Sequence, residues 1–328
     1  MHTPLRTRQL YLYGTSVALG LLYGLIVYSG FASISLLMGV SFVFVVPFGI
    51  GVMALWLFPT PNDISYLRAF FLPAQPLLLF LGMTLLLNLE GIICIVLLLP
   101  AGIVTSGLGG VITLAVRQNK QNSQHYVLAS LAVLPLLSGA IEYASGSAPR
   151  SIRTVPSSII IHAPVETVWQ NIIRVPLIRP EEQQTSFFHA IGFPRPLEAT
   201  LSHEGVGGVR HATFEGHVLF LETITAWQPQ RHLAFTIAAQ TDSIPATTFD
   251  EHVTVGGPYF DVLTGEYTIE QRNDSTIVLH LSSDHRLSTT MNLYAGWWTE
   301  AIMQDIQSTI LAVIKKRCEA TSHRANIQ

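Results

Sequence analysis

Residues 293–319 decide the fold, and they read LYAGWWTEAIMQDIQSTILAVIKKRCE. Apolar side chains recur in this stretch at steps of three and four residues, at Trp298, Ile302, Ile306, Ile310 and Val313. This spacing predicts a single helix about 40 Å long. Because one side of that helix is apolar, we expect it to lie on another apolar surface.

The residues before this helix supply that surface. Residues 157–285 read as short strands separated by turns, two of which are 205–208 and 273–274. The predicted strands are 158–162, 199–203, 209–216, 220–227, 232–239, 265–272 and 276–285. The pattern predicts an α+β domain in which a curved antiparallel sheet wraps on the long C-terminal helix. We expect a cavity between the sheet and the helix.

The first half of the chain is typical of a membrane region. Charged residues make up only 12% of the sequence, and the mean hydropathy is +0.42, which is unusual for a soluble protein. Residues 1–150 contain six Lys or Arg and three Asp or Glu, whereas residues 151–328 contain twelve and eighteen. The second half is therefore the water-facing one. Neither half has a basic patch that would indicate nucleic-acid binding.

Apolar runs predict an α-helical transmembrane bundle over residues 1–145. A hydrocarbon core about 30 Å thick needs spans of this length, and we predict about five of them: 11–28, 31–58, 72–88, 92–116 and 126–143. Ser29 and Gly30 separate the first two runs. Four spans remain the alternative if part of 92–116 is re-entrant. Three glycines in that run predict close helix packing: Gly107, Gly109 and Gly110.

The distribution of positive charge predicts the orientation. With five spans, the Lys and Arg residues fall in loops on one side: Arg6, Arg8, Arg68, Arg117 and Lys120. This pattern places the amino terminus in the cytoplasm and the soluble domain outside it. Four spans would place that domain in the cytoplasm. The two acidic residues of the spans, Glu90 and Glu142, lie near predicted span ends, so we expect them at the interface.

Composition also predicts the domain boundaries. Residues 146–156 are rich in Ser, Gly, Pro and Arg, which indicates a linker. The soluble domain covers 157–319 and a tail, 320–328, follows it.

Large apolar residues are the candidate walls of the cavity. They are Phe214, Phe235, Tyr259, Phe260, Tyr267, Met291, Trp297, Trp298 and Ile302. Trp297 and Trp298 cannot share one helix face, so we expect one to pack on the sheet and the other to border the cavity or contact lipid. Plain core packing is the alternative for all of these residues.

Polar candidates occur in two places. Alternation in 209–217 puts His211 and Glu215 on one face and Arg210 on the other. The face with His211 is either a polar patch in the cavity or the solvent face. Asp250 and His252 lie in an irregular segment, which is either a cavity mouth with an acid–base pair or a solvated loop.

The sequence contains no recognisable set of catalytic or metal-binding residues. It has no HExxH motif and no His pair beside a Cys. Its two cysteines, Cys94 and Cys318, form no disulfide framework. We therefore predict no metal, no cofactor and no catalytic residues.

Four segments resemble the SRPBCC superfamily, which includes START lipid-transfer domains and polyketide cyclases. They are 159–169 (IIIHAPVETVW), 205–215 (GVGGVRHATFE), 222–235 (ETITAWQPQRHLAF) and the final helix. The resemblance covers about half of the chain and implies a helix-grip fold whose apolar cavity serves mostly for binding. The chain is similar to bacterial members with an added membrane region, which implies a bacterial inner-membrane location. No catalytic residue is shared across the superfamily, so none is transferred.

The favoured function is a membrane-anchored protein that binds a hydrophobic or amphipathic, lipid-like small molecule supplied by the bilayer. One alternative is a cyclase- or hydrolase-like enzyme that uses residues such as His211, Glu215 or His252. Another is a structural or interaction module with a filled core. The sequence specifies neither the ligand nor the oligomeric state.

Overall fold

The computed structural model describes residues 3–56, 58, 64–119, 124–146, 148–240 and 254–325. The chain divides into two compact units, Met1–Ala148 and Pro149–Gln328.

The first unit is helical. Its helices in the described residues are α1 (Thr3–Ser33), α2 (Val46–Trp56), α3 (Tyr66–Phe71), α4 (Ala74–Leu86), α5 (Ile92–Gln118) and α6 (Gln124–Ala144), and a π-helical turn, Ser41–Val45, precedes α2. Four helical segments of this described part are long and apolar enough to cross a membrane: Tyr11–Ser33, Tyr66–Leu86, Ile92–Gln118 and His125–Ala144.

The second apolar run begins later than the sequence predicts. α1 continues through Ser29 and Gly30 to Ser33, because Gly and Ser keep their helical hydrogen bonds in an apolar helix. The chain turns at Ser35, whose φ is 55°. The apolar helix that follows, Ser41–Trp56, is about 24 Å long at the usual helical rise. The predicted break at Ser29 and Gly30 is therefore wrong.

Glycines bring α5 into backbone contact with its neighbours. A Cβ atom added at Gly109 would overlap the carbonyl oxygen of Phe48 in α2, and one added at Gly110 would overlap that of Ala69 in α3. Gly107 lies against the ring of Phe70, which is also in α3. These three glycines have the packing role that their position in the sequence predicts.

The two acidic residues of the spans make structural contacts. The Glu142 carboxylate accepts hydrogen bonds from the backbone N–H groups of Val40 and Ser41, each at 2.9 Å. These groups begin the helical segment before α2, where the helix dipole favours a negative charge. Glu90 is buried and accepts a hydrogen bond from the Tyr28 hydroxyl at 3.0 Å. Glu142 therefore connects α6 to the π-helical turn, and Glu90 connects the α4–α5 loop to α1.

The second unit is an α+β domain with one long helix on a seven-stranded sheet. Its elements are β1 (Arg150–Ile161), α7 (Val165–Ile173), α8 (Phe187–Ala190), β2 (Pro196–Leu201), β3 (Val209–Phe214), β4 (Leu219–Gln228), β5 (His232–Gln240), β6 (Phe260–Asn273), β7 (Thr276–Ser288) and α9 (Asn292–Ala325). The strand order is β1-β7-β6-β5-β4-β3-β2, and every neighbouring pair is antiparallel. The curled sheet with α9 on its inner face is the predicted helix-grip arrangement.

β1 begins inside the segment that the sequence predicts to be a linker. Residues 150–156 pair with β7, from Arg150 opposite Ser288 to Pro156 opposite Ser282. Pro156 is compatible with the strand because β1 is at the edge of the sheet, where one side of its backbone has no partner among the described strands. The linker prediction is therefore wrong from Arg150 onward. At the other end of the domain, α9 extends to Ala325, into the predicted tail of 320–328.

The main apolar core lies between the sheet and the helices α7 and α9. Trp169 and Ile172 of α7 and Leu311, Ile314 and Cys318 of α9 pack there on inward side chains of the strands. Apolar contacts of α7 and α9 with the sheet therefore hold the domain together.

The side of α9 that faces β1 and β7 differs from the predicted stripe. Gln307 is buried, and its Nε2 atom donates to Val155 O at 2.9 Å and to Ser283 Oγ at 3.1 Å. Ile302 and Val313 are also buried, although they lie on another side of the helix from Gln307. The difference arises because the connection between α7 and β2 covers a second side of α9, for example where Arg317 Nε donates to Glu182 Oε1 at 2.7 Å.

Candidate functional site

The strand register defines the inner face of the sheet. Side chains that pair across neighbouring strands point to the same side. Phe235 and Tyr267 belong to the core under the helices, and Ile224 pairs with Phe235. Glu222 lies two residues before Ile224, and it pairs with Arg210. Arg210 and Glu222 therefore lie on the inner, apolar face of the sheet.

Arg210 and Glu222 form a buried ion pair there. Arg210 Nη1 lies 2.6 Å from Glu222 Oε2, and both side chains are buried. The Arg210 guanidinium carbon is 5.1 Å from the centre of the Phe235 ring and 6.0 Å from that of the Tyr267 ring. These distances are within the range of cation–π attraction. The Arg210–Glu222 pair is thus a polar site on an otherwise apolar face, with two aromatic rings packed against the guanidinium.

Burial controls the protonation of this group. Loss of solvation raises the pKa of the Glu222 carboxyl, and the charge of Arg210 opposes that rise. Burial raises the pKa of Tyr267 to about 12, so its hydroxyl keeps its proton at neutral pH. A carboxylate that is both desolvated and paired with a charge is a common feature of functional sites.

Gly265 makes room for the ring on which Arg210 rests. A Cβ atom at this position would lie 2.6 Å from Cε2 of Phe235, well inside contact distance. Phe235 and Gly265 are direct cross-strand partners. The absence of a side chain at Gly265 therefore leaves the space that the Phe235 ring occupies.

A further inward polar residue, His285, contacts α9. Its residue exposure is 0%, and its Nε2 atom lies 3.1 Å from Thr299 Oγ1. Thr299 directs its own hydrogen to Gly296 O at 3.2 Å, so His285 Nε2 is the donor to Thr299. Among the described residues, Nδ1 has no hydrogen-bond partner. Burial, and secondarily the charge of Arg153, lowers the pKa of His285, which favours the neutral ring.

The predicted wall residues differ in how deeply they are buried. Phe214, Phe235, Tyr267, Met291 and Ile302 are buried, whereas Tyr259, Phe260 and Trp298 are half-buried. The structure brings together Phe235 and Tyr267, whose ring centres are 6.2 Å apart. Phe260 lies 5.6 Å from the His285 ring. Trp297 is 63% exposed, whereas the neighbouring Trp298 is half-buried, because consecutive helix residues point about 100° apart.

The predicted polar candidates lie elsewhere. His211 and Glu215 are exposed and do not share the inner face with Arg210. They occupy the solvent face, which is one of the two positions that the alternation allows. The enzyme alternative loses the support of these two residues. Asp250 and His252 lie outside the described residues.

The sequence pattern does not select Arg210 and Glu222 as site residues. His285 ends a predicted strand beside Asp284 and Arg286, where an acid–base role and a solvated position are the alternatives. A signal for Arg210 was present, because it alternates with Ala212 and Phe214 and thus belongs to an apolar face. Glu222 similarly shares a face with Ile224. In the part of the chain that the structure describes, no group of three or more His, Cys, Asp or Glu residues is arranged to hold a metal ion.

No protein-family model and no curated protein sequence matches the chain. Solved structures are similar to about half of it. An aromatase/cyclase from Streptomyces sp. R1128 has 14% identity and a TM-score of 0.33, over 51% of this chain and 94% of that one. Norcoclaurine synthase from Thalictrum flavum has 10% identity and a TM-score of 0.31, over 51% and 86%. A conserved protein from Geobacillus kaustophilus has 14% identity and a TM-score of 0.30, over 50% and 96%. Similarity at this level carries no information on ligand or reaction.

Proposed function

We propose that the second unit binds an apolar or amphipathic small molecule between the inner face of its sheet and α9. We further propose that the helices of the first unit anchor it in a membrane. The observation that carries the binding proposal is the buried Arg210–Glu222 pair on an apolar face, with Phe235 and Tyr267 against it.

A filled apolar core gains little from such a pair. Moving two charges out of water costs several kcal/mol per ion, and apolar side chains of similar volume are often at least as stabilising. Ligand sites, in contrast, are mostly apolar with a few polar groups that orient the ligand. The Arg210–Glu222 pair therefore favours a binding site over a module with a filled core.

Half-buried apolar side chains on the inner face of the sheet support the same proposal. Ile237 pairs with Glu222 and thus faces inward, but it keeps some accessible surface. Phe220, which pairs with Ala212 on the same face, is also half-buried. Apolar surface of this kind is what an oily ligand would cover.

Membrane anchoring is supported by the four long apolar helical segments in the described part of the first unit. A lipid-like ligand partitions into the bilayer, so anchoring would raise its concentration near the domain. The location of the domain remains as predicted from the Lys and Arg residues: outside the cytoplasm with five crossings and inside it with four.

The test is native mass spectrometry of the full-length protein released from bacterial membranes. We expect a co-purified lipid or isoprenoid on the wild type. Ile237→Trp adds bulk on the inner face and should remove the bound mass. Ala238→Trp adds the same bulk on the exposed side of the same strand and should keep it. A wild type without bound mass, or equal binding by both variants, would overturn the proposal.

A further inference from the structure

A second buried histidine, His189, lies in the connection between α7 and β2. It is part of α8, and Ser186 caps this short helix by accepting a hydrogen bond from the His189 backbone N–H at 3.2 Å. The Ser186 hydroxyl also contacts Asp305 Oδ2 of α9 at 2.7 Å. The Ser186 side chain therefore holds α8 and its histidine against α9.

The hydrogen bonds of Ser186 determine the orientation of protons in this group. A hydroxyl has one hydrogen to donate, and an ionised Asp305 can only accept it. The 3.0 Å contact between Ser186 Oγ and His189 Nδ1 must then have Nδ1–H as the donor. In a neutral imidazole the other nitrogen, Nε2, carries a lone pair and accepts. This order also differs from that of a nucleophilic triad, because the serine lies between the carboxylate and the imidazole.

In the described part of the chain, no hydrogen-bond donor contacts the lone pair of His189 Nε2. His189 is only 8% exposed, and among the described residues its Nε2 atom is buried without a hydrogen-bond partner. Buried polar atoms nearly always have partners, and exceptions are found at functional sites. An acceptor that is oriented by Ser186 and left open is thus a candidate contact for a bound molecule.

Trp298 adds an open donor near the same side of α9. Its Nε1–H group is buried and has no partner in the described part of the chain. Trp298 precedes Asp305 by seven residues, which places the two within about 20° on the helix surface. One buried acceptor and one buried donor therefore belong to this side of α9. A neutral hydroxyl group matches both, because it donates one hydrogen bond and accepts others.

We propose that His189 Nε2 accepts a hydrogen bond from a hydroxyl group of the ligand, with Ser186 and Asp305 as positioning residues. This inference rests on the proposed function and specifies its ligand class as an apolar molecule with a hydroxyl group. A carboxylate or phosphate without a proton does not fit Nε2, because a lone pair repels an anion. A plain hydrocarbon leaves Nε2 unpaired.

The test compares two probes of nearly equal size, 2-naphthol and 2-methylnaphthalene. Equilibrium dialysis of each probe against the full-length protein in lipid nanodiscs, with empty nanodiscs subtracted, measures binding. A hydrogen bond of ordinary strength predicts that 2-naphthol binds about five- to tenfold more tightly than 2-methylnaphthalene. His189→Leu should remove this preference, because 2-naphthol loses its hydrogen-bond acceptor. His211→Leu, on the exposed face, should keep the preference.

A second measurement tests whether Ser186 sets the tautomer of His189. In ¹⁵N-histidine NMR spectra, His189 Nε2 should have the chemical shift of an unprotonated nitrogen and should move when 2-naphthol binds. Ser186→Ala should change the tautomer of His189 and weaken the preference for 2-naphthol, even if His189→Leu is unstable.

The outcomes separate this inference from the proposed function. Equal binding of the two probes by the wild type, or a preference that survives in His189→Leu, would overturn the role of His189 and leave the binding function intact. No binding of either probe above the empty nanodiscs would overturn both.

Discussion

Glu222 and Arg210 are cross-strand partners whose side chains meet at 2.6 Å on the inner face of the sheet. Removal of one partner leaves the other charge buried and unpaired. We expect Arg210→Met to lower the free energy of unfolding by about 3 to 5 kcal/mol. The double variant Arg210→Met/Glu222→Leu should recover most of that loss.

Urea unfolding followed by tryptophan fluorescence would measure these changes, since four of the five Trp residues are in the second unit. A double variant that is as unstable as Arg210→Met would show that the pair itself stabilises the domain. In that case the pair would lose its value as an indicator of a binding site.

Gly265 should tolerate no side chain. Gly265→Val would push the Phe235 ring out of its place under Arg210, and overpacking of this kind costs about 1 to 3 kcal/mol. Its neighbour Glu266 is exposed, so Glu266→Ala should change stability by less than about 0.5 kcal/mol. The same urea titration compares the two variants. Equal stabilities would mean that the ring can move without cost.

Glu182 should make the second unit sensitive to acid. The hydrogen bond from the Arg317 side chain lowers the pKa of Glu182 from its usual 4.5 to about 2. The resulting stability is fully present above pH 4.5 and is lost as the pH falls toward 2. After a reduction for solvent screening, we expect a contribution of about 2 to 3 kcal/mol. Comparing the wild type with Glu182→Gln between these pH values isolates it from other carboxylates, and parallel curves would contradict the prediction.

His285 should make the stability of the second unit depend on pH in a higher range than Glu182 does. Burial lowers its pKa from 6.5, so the unfolded chain binds a proton at this residue more readily than the folded one. The stability that depends on neutral His285 is therefore present above pH 6.5 and decreases as the pH falls below it. His285→Gln should flatten the stability curve between pH 7 and the lowered pKa. A slope that stays the same would assign that pH dependence to other histidines.

Gly109 should be needed for assembly of the first unit. Gly109→Ala places a methyl group against the Phe48 carbonyl oxygen and should separate α5 from α2, whereas a Cβ atom at Gly82 meets nothing within 4 Å. We expect Gly109→Ala to lower the midpoint of thermal unfolding in detergent and to increase aggregation on gel filtration. Gly82→Ala should match the wild type. Similar behaviour of the two variants would contradict the close contact.

The order of elements in the second unit was predictable, because strands with period-two alternation and a long amphipathic helix give strong local signals. The start of β1 was not, because Pro156 and the nearby Ser and Arg residues are typical of a linker. Tertiary pairing with β7 overrides that local signal. Likewise, Gly30 in α1 looks like a break but is accommodated within the helix.

The site was less predictable than the fold. A polar residue such as Gln307 normally indicates a solvent-facing position, but its amide is buried between β1 and β7. The contact of Ser186 with Asp305 joins residues 119 positions apart. Such pairs arise from packing between elements, and neither periodicity nor local spacing carries information about them.

Pro156 and a lysine of α9 also affect whether separate molecules can associate through the edges of the sheet. An unprotected sheet margin attracts strands from other chains and promotes aggregation. Pro156 has no N–H group that could pair with a strand of another molecule. Lys315 Nζ donates a hydrogen bond to the carbonyl oxygen of Ile160 at 2.6 Å. At the opposite margin, Val175 and Ala199 exchange backbone hydrogen bonds at 2.8 Å. Both margins of the sheet therefore carry protection against uncontrolled intermolecular β-pairing.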